Sequence, residues 1–328
     1  MNKMKRIFFF SLAFLAACAS APSTPDWVSG AAAKYPATQY LVGRGQADSG
    51  DDASDRARAD VAKIFGVEMT VESEDTQAFS GGAYQGHSAR RVVTRTERLL
   101  EGVEIAEIWR DSATKNYHAL AVLPRLKAAH SLRQEIARLD GATQAQLDNA
   151  RNAQDLLLKI AAAAQAVAAQ SERMGIQKTL RIVDATGQGE TPTWNLDRLR
   201  ADLDALLKRL KLVARVGDAE LETIAKGALA AAGLLGDISD NPAYALEANL
   251  GLDDLGRQDG WYWRRGTLEI RLIELANNRV RGTQRWPIKS SALTSEAAAR
   301  RALDQADAIL KKELRQTLIG FAAGTERK

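Results

Sequence analysis

GVEIAEIWRDSATKNYHALAVLPR, residues 102–125, decides the fold. Two runs rich in β-branched and aromatic residues, 103–111 and 116–123, flank the short polar stretch 112–115. That pattern predicts an antiparallel hairpin. Upstream, YLVG at 40–43 starts a strand, and SGDD at 49–52 offers N-cap residues to a helix with Ala53, Ala57, Val61, Ile64 and Phe65 on one face. The next stretch changes period. In GVEMTVESE, Val67, Met69 and Val71 alternate with Glu68, Thr70 and Glu72, which predicts a half-buried strand. The glycine-rich SGGAYQG would then join it to a further strand near 91–98. The expectation is one α+β unit: strand, helix, antiparallel meander.

Downstream the texture changes. Leu126, Ala129, Leu132, Ile136 and Leu139 trace a first helix, and Asp140-Gly141 predicts a break. A long Ala-rich helix follows, with Leu147, Ala150, Leu157, Ala161, Ala164 and Ala168 at spacings that let a second helix approach closely. A coiled oligomerisation stalk and an intramolecular hairpin both fit. The hairpin is favoured because no sustained run of bulky seam residues appears. From 179 onward a second α+β unit is expected. It would comprise a short strand at 180–184, a helix capped by Asn195 and a strand LVARV. A helix capped by Asp218 and ended by Gly233 would follow, then three strands and a closing helix from about Ser295. The strands are expected to be sequential and antiparallel, with Asn277-Asn278 turning one hairpin.

The motif GRGQA after a strand, the Ala-rich helix and above all the 102–125 stretch resemble the LPP-twenty lipoprotein family, over about residues 35–125. The family is defined by export and lipidation, so the resemblance implies a location and brings no catalytic residue. The N-terminus agrees with it. MNKMKRIFFFSLAFLAACAS has a basic start (Lys3, Lys5, Arg6), an apolar run from Ile7 to Ala17 broken only by Ser11, and then Cys18, the single cysteine of the chain. This is the order of a secretory signal, and a span of the bilayer takes about 20 apolar residues, more than the run supplies.

LAAC at 15–18 is similar to the lipobox of bacterial lipoproteins. The resemblance implies cleavage before Cys18, lipidation of its thiol and, with Ala19 next, sorting to the outer membrane. An ordinary signal cut near Ala21 is the alternative. Two or more acyl chains hold a protein stably where one does not.

The expected organisation is thus a signal peptide at 1–17, a lipidated N-terminus and linker at 18–34, an α+β domain at 35–125, a helical hairpin at 126–178 and a second α+β domain at 179–323.

The 328 residues carry 45 basic and 41 acidic side chains, and losing the first 17 removes three of the basic ones. The near-neutral remainder has no basic stripe interleaved with aromatics, so nucleic acid is a poor partner. One cysteine allows no intrachain disulfide.

Catalysis finds little frame. His87, His118 and His130 form no metal-binding spacing, and G-x-S-x-G is absent. Gly43-x-Gly45 lacks the third glycine of a dinucleotide loop, which falls on Asp48. Glu68, Glu72 and Glu74 at period two suggest an acidic strand face, more readily a solvated surface than a paired-carboxylate site. No cofactor or metal is implied.

The densest aromatic stretch is DGWYWRRG at 259–266. Trp261 and Trp263 share one strand face, and Trp286 stands on the partner strand of the hairpin. They are either core, or, flanked by Arg264, Arg265 and Arg285, a docking patch of the aromatic and arginine kind enriched at binding hot spots. The leading expectation is a non-catalytic outer-membrane lipoprotein, facing the periplasm, that binds an envelope protein or assembles into a larger structure. The alternatives are a tethered envelope hydrolase and a component of an oligomeric secretion or flagellar-type assembly. Homo-oligomerisation is left open.

Overall fold

The computed structural model describes residues 24–76, 102–236 and 241–324, of which 66–76 by backbone alone. Cys18, His87, the SGGAYQG loop and the strand expected at 91–98 lie outside the described residues.

The first unit contains α1 (Asp26–Ser29), β1 (Tyr40–Ala47), α2 (Gly50–Thr76), β2 (Glu104–Arg110) and β3 (Tyr117–Pro124). The sheet order is β1-β3-β2, antiparallel throughout. The predicted hairpin forms, its turn held by the Asp111 carboxylate, which accepts from the Ala113 N–H at 2.8 Å and the Thr114 hydroxyl at 2.7 Å. Lys115 takes the left-handed conformation, φ 65°.

GRGQA proves to be the seat of α2. A Cβ built at Gly45 would overlap the Ala53 carbonyl oxygen and lie 2.5 Å from the Ala57 nitrogen. One at Gly43 would lie 2.7 Å from both the nitrogen and Cγ2 of Val61. Two glycines on the strand thus admit the helix at backbone distance, and Ala53, Ala57 and Val61 are fully buried there. The expected N-cap is also present, since the Asp52 N–H donates to Ser49 Oγ at 3.1 Å.

The strand predicted at 67–71 is instead the last part of α2, which runs to Thr76. Val67 and Val71 are four residues apart and satisfy a helical period as well as an alternating one. Glu and Met are good helix formers, and a helix already propagating adds residues at little cost. Glu68, Glu72 and Glu74 are therefore helical residues and form no strand face.

Within the segment assigned to the linker, Trp27 is buried at 3% exposure. It packs with Ala32, Leu120 and Val122 on the sheet face away from α2. Its indole N–H donates to Glu107 at 2.7 Å, and Lys34 donates to the same carboxylate at 3.1 Å. These two bonds, that of Lys34 the stronger influence, hold the Glu107 carboxyl below its ordinary pKa.

Next come α3 (Arg125–Asn152) and α4 (Leu156–Val183), packed against each other as an intramolecular hairpin. Asp140-Gly141 does not break the helix; the turn is at 153–155, where Asp155 caps α4 by accepting from the Leu157 N–H at 2.8 Å. The reason is tertiary. The Asp140 carboxylate, free in sequence to bend the chain, is taken by Gln170 and Arg173 of α4, both at 2.9 Å. The strand expected at 180–184 is likewise the final turn of α4. Leu180 and Val183 are wholly buried on its inner face.

The second unit adds α5 (Leu196–Arg209), β4 (Leu212–Arg215), α6 (Ala219–Ala231), β5 (Tyr244–Gln258), β6 (Trp261–Glu274), β7 (Arg279–Ala292) and α7 (Ser295–Ala322). Asn195 and Asp218 cap their helices as expected. The sheet order is β4-β5-β6-β7. Contrary to the all-antiparallel expectation, β4 and β5 are parallel, because α6 carries the chain back as a crossover between them. The remaining pairs are antiparallel hairpins, turned at Asp259-Gly260 and at Asn277-Asn278 with positive φ at Asp259, Gly260 and Asn278. Leu268, Ile270 and Leu272 face Ala302, Ala306, Leu310, Leu314 and Leu318 of α7 in one core. Each fully buried leucine there contributes about 1.5–3 kcal/mol. The chain is α+β, as predicted.

Candidate functional site

Register decides where the six patch residues point. Residues directly opposite on antiparallel strands share a face. Leu268, wholly buried, pairs with Trp286, so Trp286 lies on the helix side of the sheet and packs against the core. Trp263 pairs with Ser291 and Arg265 with Lys289, on the other face.

The expected single patch therefore divides. Trp261, Trp263, Arg265 and Arg285 stand on the outer face, whereas Trp286 and Arg264 stand on the helix side. Arg264 turns inward by the alternation of β6; the inward turn of Trp286 has its cause in a one-residue bulge in β7. Leu272 pairs with Gly282 but Ile273 with Val280, which leaves Arg281 as the extra residue and reverses the facing of every β7 residue beyond it.

The bulge also aims Arg281. Its guanidinium donates to Asp155 at 2.8 Å and to Glu274 at 3.1 Å, fixing the tip of the α3–α4 hairpin to the second sheet. Tyr244 lies beside this pair, its hydroxyl 3.4 Å from Asp155. Burial, and then the neighbouring carboxylate, push the Tyr244 pKa up to about 12. Burial alone would raise Asp155; the Arg281 bond and the Leu157 N–H outweigh it and hold the carboxyl below its usual range. The cluster is a structural knot.

Arg264 is similarly engaged, with Asp254 at 3.0 Å and Ser295 Oγ at 2.8 Å, though its buried Nε has no hydrogen-bond partner.

The outer face is a cross-strand ladder. Arg271 meets Glu247 at 3.5 Å, and Arg285 is ion-paired with Glu269. Lys289 places its ammonium 4.8 Å from the Trp263 ring centroid, a cation–π distance. Trp261 remains 41% exposed, and Arg265 and Lys289 are exposed beside Trp263. Lys289 and Glu269 belong to this face yet were not singled out in the sequence. Glu269 follows from the alternation of β6, whereas only the bulge-corrected register brings in Lys289.

Of the isolated histidines, His118 lies against Trp109 with ring centroids 5.3 Å apart, and His130 is exposed on α3. Among the described residues no group of three or more His, Cys, Asp or Glu is placed to hold a metal ion. No described helix is long and apolar enough to cross a membrane.

No curated protein matches the chain. Among solved structures it is similar to a secreted protein of Helicobacter pylori, at 15% identity over 83% of this chain and 96% of that one, with a TM-score of 0.42. It is also similar to a minor lipoprotein of Acinetobacter baumannii, at 18% identity over 35% and 92%, with a TM-score of 0.25. Over residues 25–124, which take in the strand, helix and hairpin of the first unit, the chain fits the model of the LPP20 lipoprotein family.

Proposed function

We propose that this chain is a non-catalytic lipoprotein, anchored through Cys18 to the outer membrane, whose folded part faces the periplasm and serves as a binding or assembly module of the cell envelope. One observation supports the binding role. The outer face of β5–β7 keeps an exposed tryptophan, Trp261, beside a Lys289-capped Trp263. Large aromatics at a surface with cations beside them are the composition of binding hot spots. The ladder Glu247–Arg271 and Glu269–Arg285 offsets its own charge, which favours a protein partner over a polyanion.

The test compares the native chain with Cys18→Ser by intact mass and membrane fractionation, then crosslinks the membrane-bound form in cells through a photoreactive residue at Trp261. A mature chain that begins at Cys18 with acyl mass, pellets with membranes and traps a neighbouring protein is the expected result. Equal solubility of both forms, cut at another site, would refute the tether.

A further inference from the structure

A sheet edge presents unpaired N–H and C=O groups, and native proteins blunt such edges. Most edges here are blunted. On β1 the Arg44 N–H donates to Asp60 at 3.0 Å and the Gln46 carbonyl accepts from Arg56 at 2.7 Å, so α2 side chains occupy that edge. β2 is interrupted by a bulge between Ile105 and Glu107. β7 carries Pro287 and the exposed cations Arg279, Arg285 and Lys289. β4 is four residues long and is bonded on its far side by Leu234 and Gly236, through Leu212, at 2.9 and 2.8 Å.

One edge differs. β4 pairs with β5 only over Tyr244–Glu247, and beyond it residues 248–258 pair with β6 alone among the described strands. The stretch 248–254, Ala-Asn-Leu-Gly-Leu-Asp-Asp, holds no proline and no cation. Asn249, Gly251 and Asp253 are exposed, and Leu250 and Leu252 are half-buried at the margin of the core. Ahead of β4 this edge, with no strand beside it among the described residues, is about 23 Å long at the usual strand rise.

We propose that this edge of β5 receives an extended segment of a partner protein by β-strand addition, with apolar residues beside Leu250 and Leu252 and lysine or arginine at the positions between. The inference deepens the binding-module reading and rests on it. Backbone pairing supplies the affinity in such complexes, and alternate side chains supply the choice of partner.

Charge selects the basic segment. The charged residues of β5 up to Gly256 are Glu247, Asp253 and Asp254, all acidic; Glu247 and Asp254 are ion-paired with Arg271 and Arg264, whereas Asp253 makes no ion pair among the described residues. A second copy of the chain would instead bring a second Asp253 to the same seam, where like charges are unfavourable.

The experiment uses the full chain in detergent and two blocked peptides of about nine residues, one alternating lysine with valine and one alternating glutamate with valine. The lysine peptide is expected to slow amide exchange at alternate positions of 248–254 by about tenfold or more. The Asn249→Lys/Asp253→Lys variant should weaken that peptide's binding by about tenfold while its thermal unfolding stays unchanged. Equal binding of the glutamate peptide, or no protection at 248–254, overturns the proposal. So does protection there that grows with protein concentration in the absence of peptide, since a second copy then holds the edge. Crosslinking in cells from Trp261 separates this inference from the broader reading. A partner trapped there without protection at 248–254 leaves the module standing and removes the edge. Protection by the lysine peptide with no partner trapped leaves the edge standing and removes the Trp261 face as the docking surface.

Discussion

Replacing Gly45 by alanine tests the element on which the N-terminal unit is built. The added methyl would meet the Ala53 carbonyl oxygen and lie 2.5 Å from the Ala57 nitrogen, both backbone atoms of α2. No rotamer change can move them, so the helix must retreat from β1 by about 1 Å to restore ordinary contact. That retreat loosens Ala53, Ala57, Val61 and Phe65, at most 2% exposed. Overpacking costs typically about 1–3 kcal/mol, and rigid backbone on both sides argues for about 3. For a chain of this size, that corresponds to a fall in Tm of about 6–12 °C.

Gly141→Ala is the matched control of opposite sign. It lies within the unbroken α3, and a Cβ there meets nothing within 4 Å. A gain of about 0.5–1 kcal/mol is expected from the helix propensity of alanine. Denaturant midpoints and calorimetry of both variants read the result. Gly45→Ala within about 0.5 kcal/mol of wild type would refute the close-approach argument. A destabilising Gly141→Ala would refute the continuous helix and restore the break expected from the sequence.

The knot at Asp155 gives two predictions with opposite pH dependence. Tyr244, with its pKa raised to about 12, contributes stability that is complete below its unfolded value near 10 and is lost as pH rises through 12; Tyr244→Phe should abolish that alkaline loss in unfolding titrations. Asp155 has a lowered pKa, so its contribution is present above the unfolded value and disappears as pH falls through the folded one. Asp155→Ala, which also removes the α4 cap, should cost about 2–3 kcal/mol at neutral pH and flatten the acid limb. Trp263→Ala should change stability by less than about 1 kcal/mol, whereas Trp286→Ala, on the core side, should cost about 2 kcal/mol or more; equal costs in chemical unfolding would mean that the bulge does not divide the faces. Finally, Ile160→Ala and Leu180→Ala, at opposite ends of α4 and in separate cores, should each lower one shared thermal transition; two transitions, each responding to one variant, would contradict coupling of the two cores through α4.

Local chemistry was the legible part of the sequence. The hairpin at 112–115, the caps at Asn195 and Asp218 and the turn at Asn277 each depend on residues within a few positions of one another, and each formed. Features decided across the chain were not legible. Asp140-Gly141 reads as a stop until Gln170 and Arg173, some thirty residues on, take the carboxylate. The parallel pairing of β4 depends on where α6 returns the chain. The alternation at 67–71 was too short to separate its two periods. The candidate face shows the same limit at the scale of one residue. Counted from the Asn277-Asn278 turn without a bulge, Trp286 joins Trp263; with Arg281 inserted it crosses to the core, and Lys289 takes its place over the ring.

The chain reads as two α+β units joined by a hairpin, but the hairpin is no passive joint. The first half of α4 buries Leu157, Ile160 and Ala164 in the core beneath the second sheet, and its second half buries Ile176, Leu180 and Val183 in the core of the first. Between them lies a polar seam in which Arg173, 3% exposed, bonds Asp140 and the Thr191 carbonyl, and Gln170 bonds Thr143. A buried arginine tolerates few alternative partners, so a helix that slid by one turn would leave Arg173 and Asp140 unpaired at a cost of several kcal/mol. Apolar contacts made by alanines do not fix register in this way, because one alanine replaces another with little change in packing. The seam sets the register of α4, and through it the first sheet and the Trp261 face of the second are held in one fixed relation.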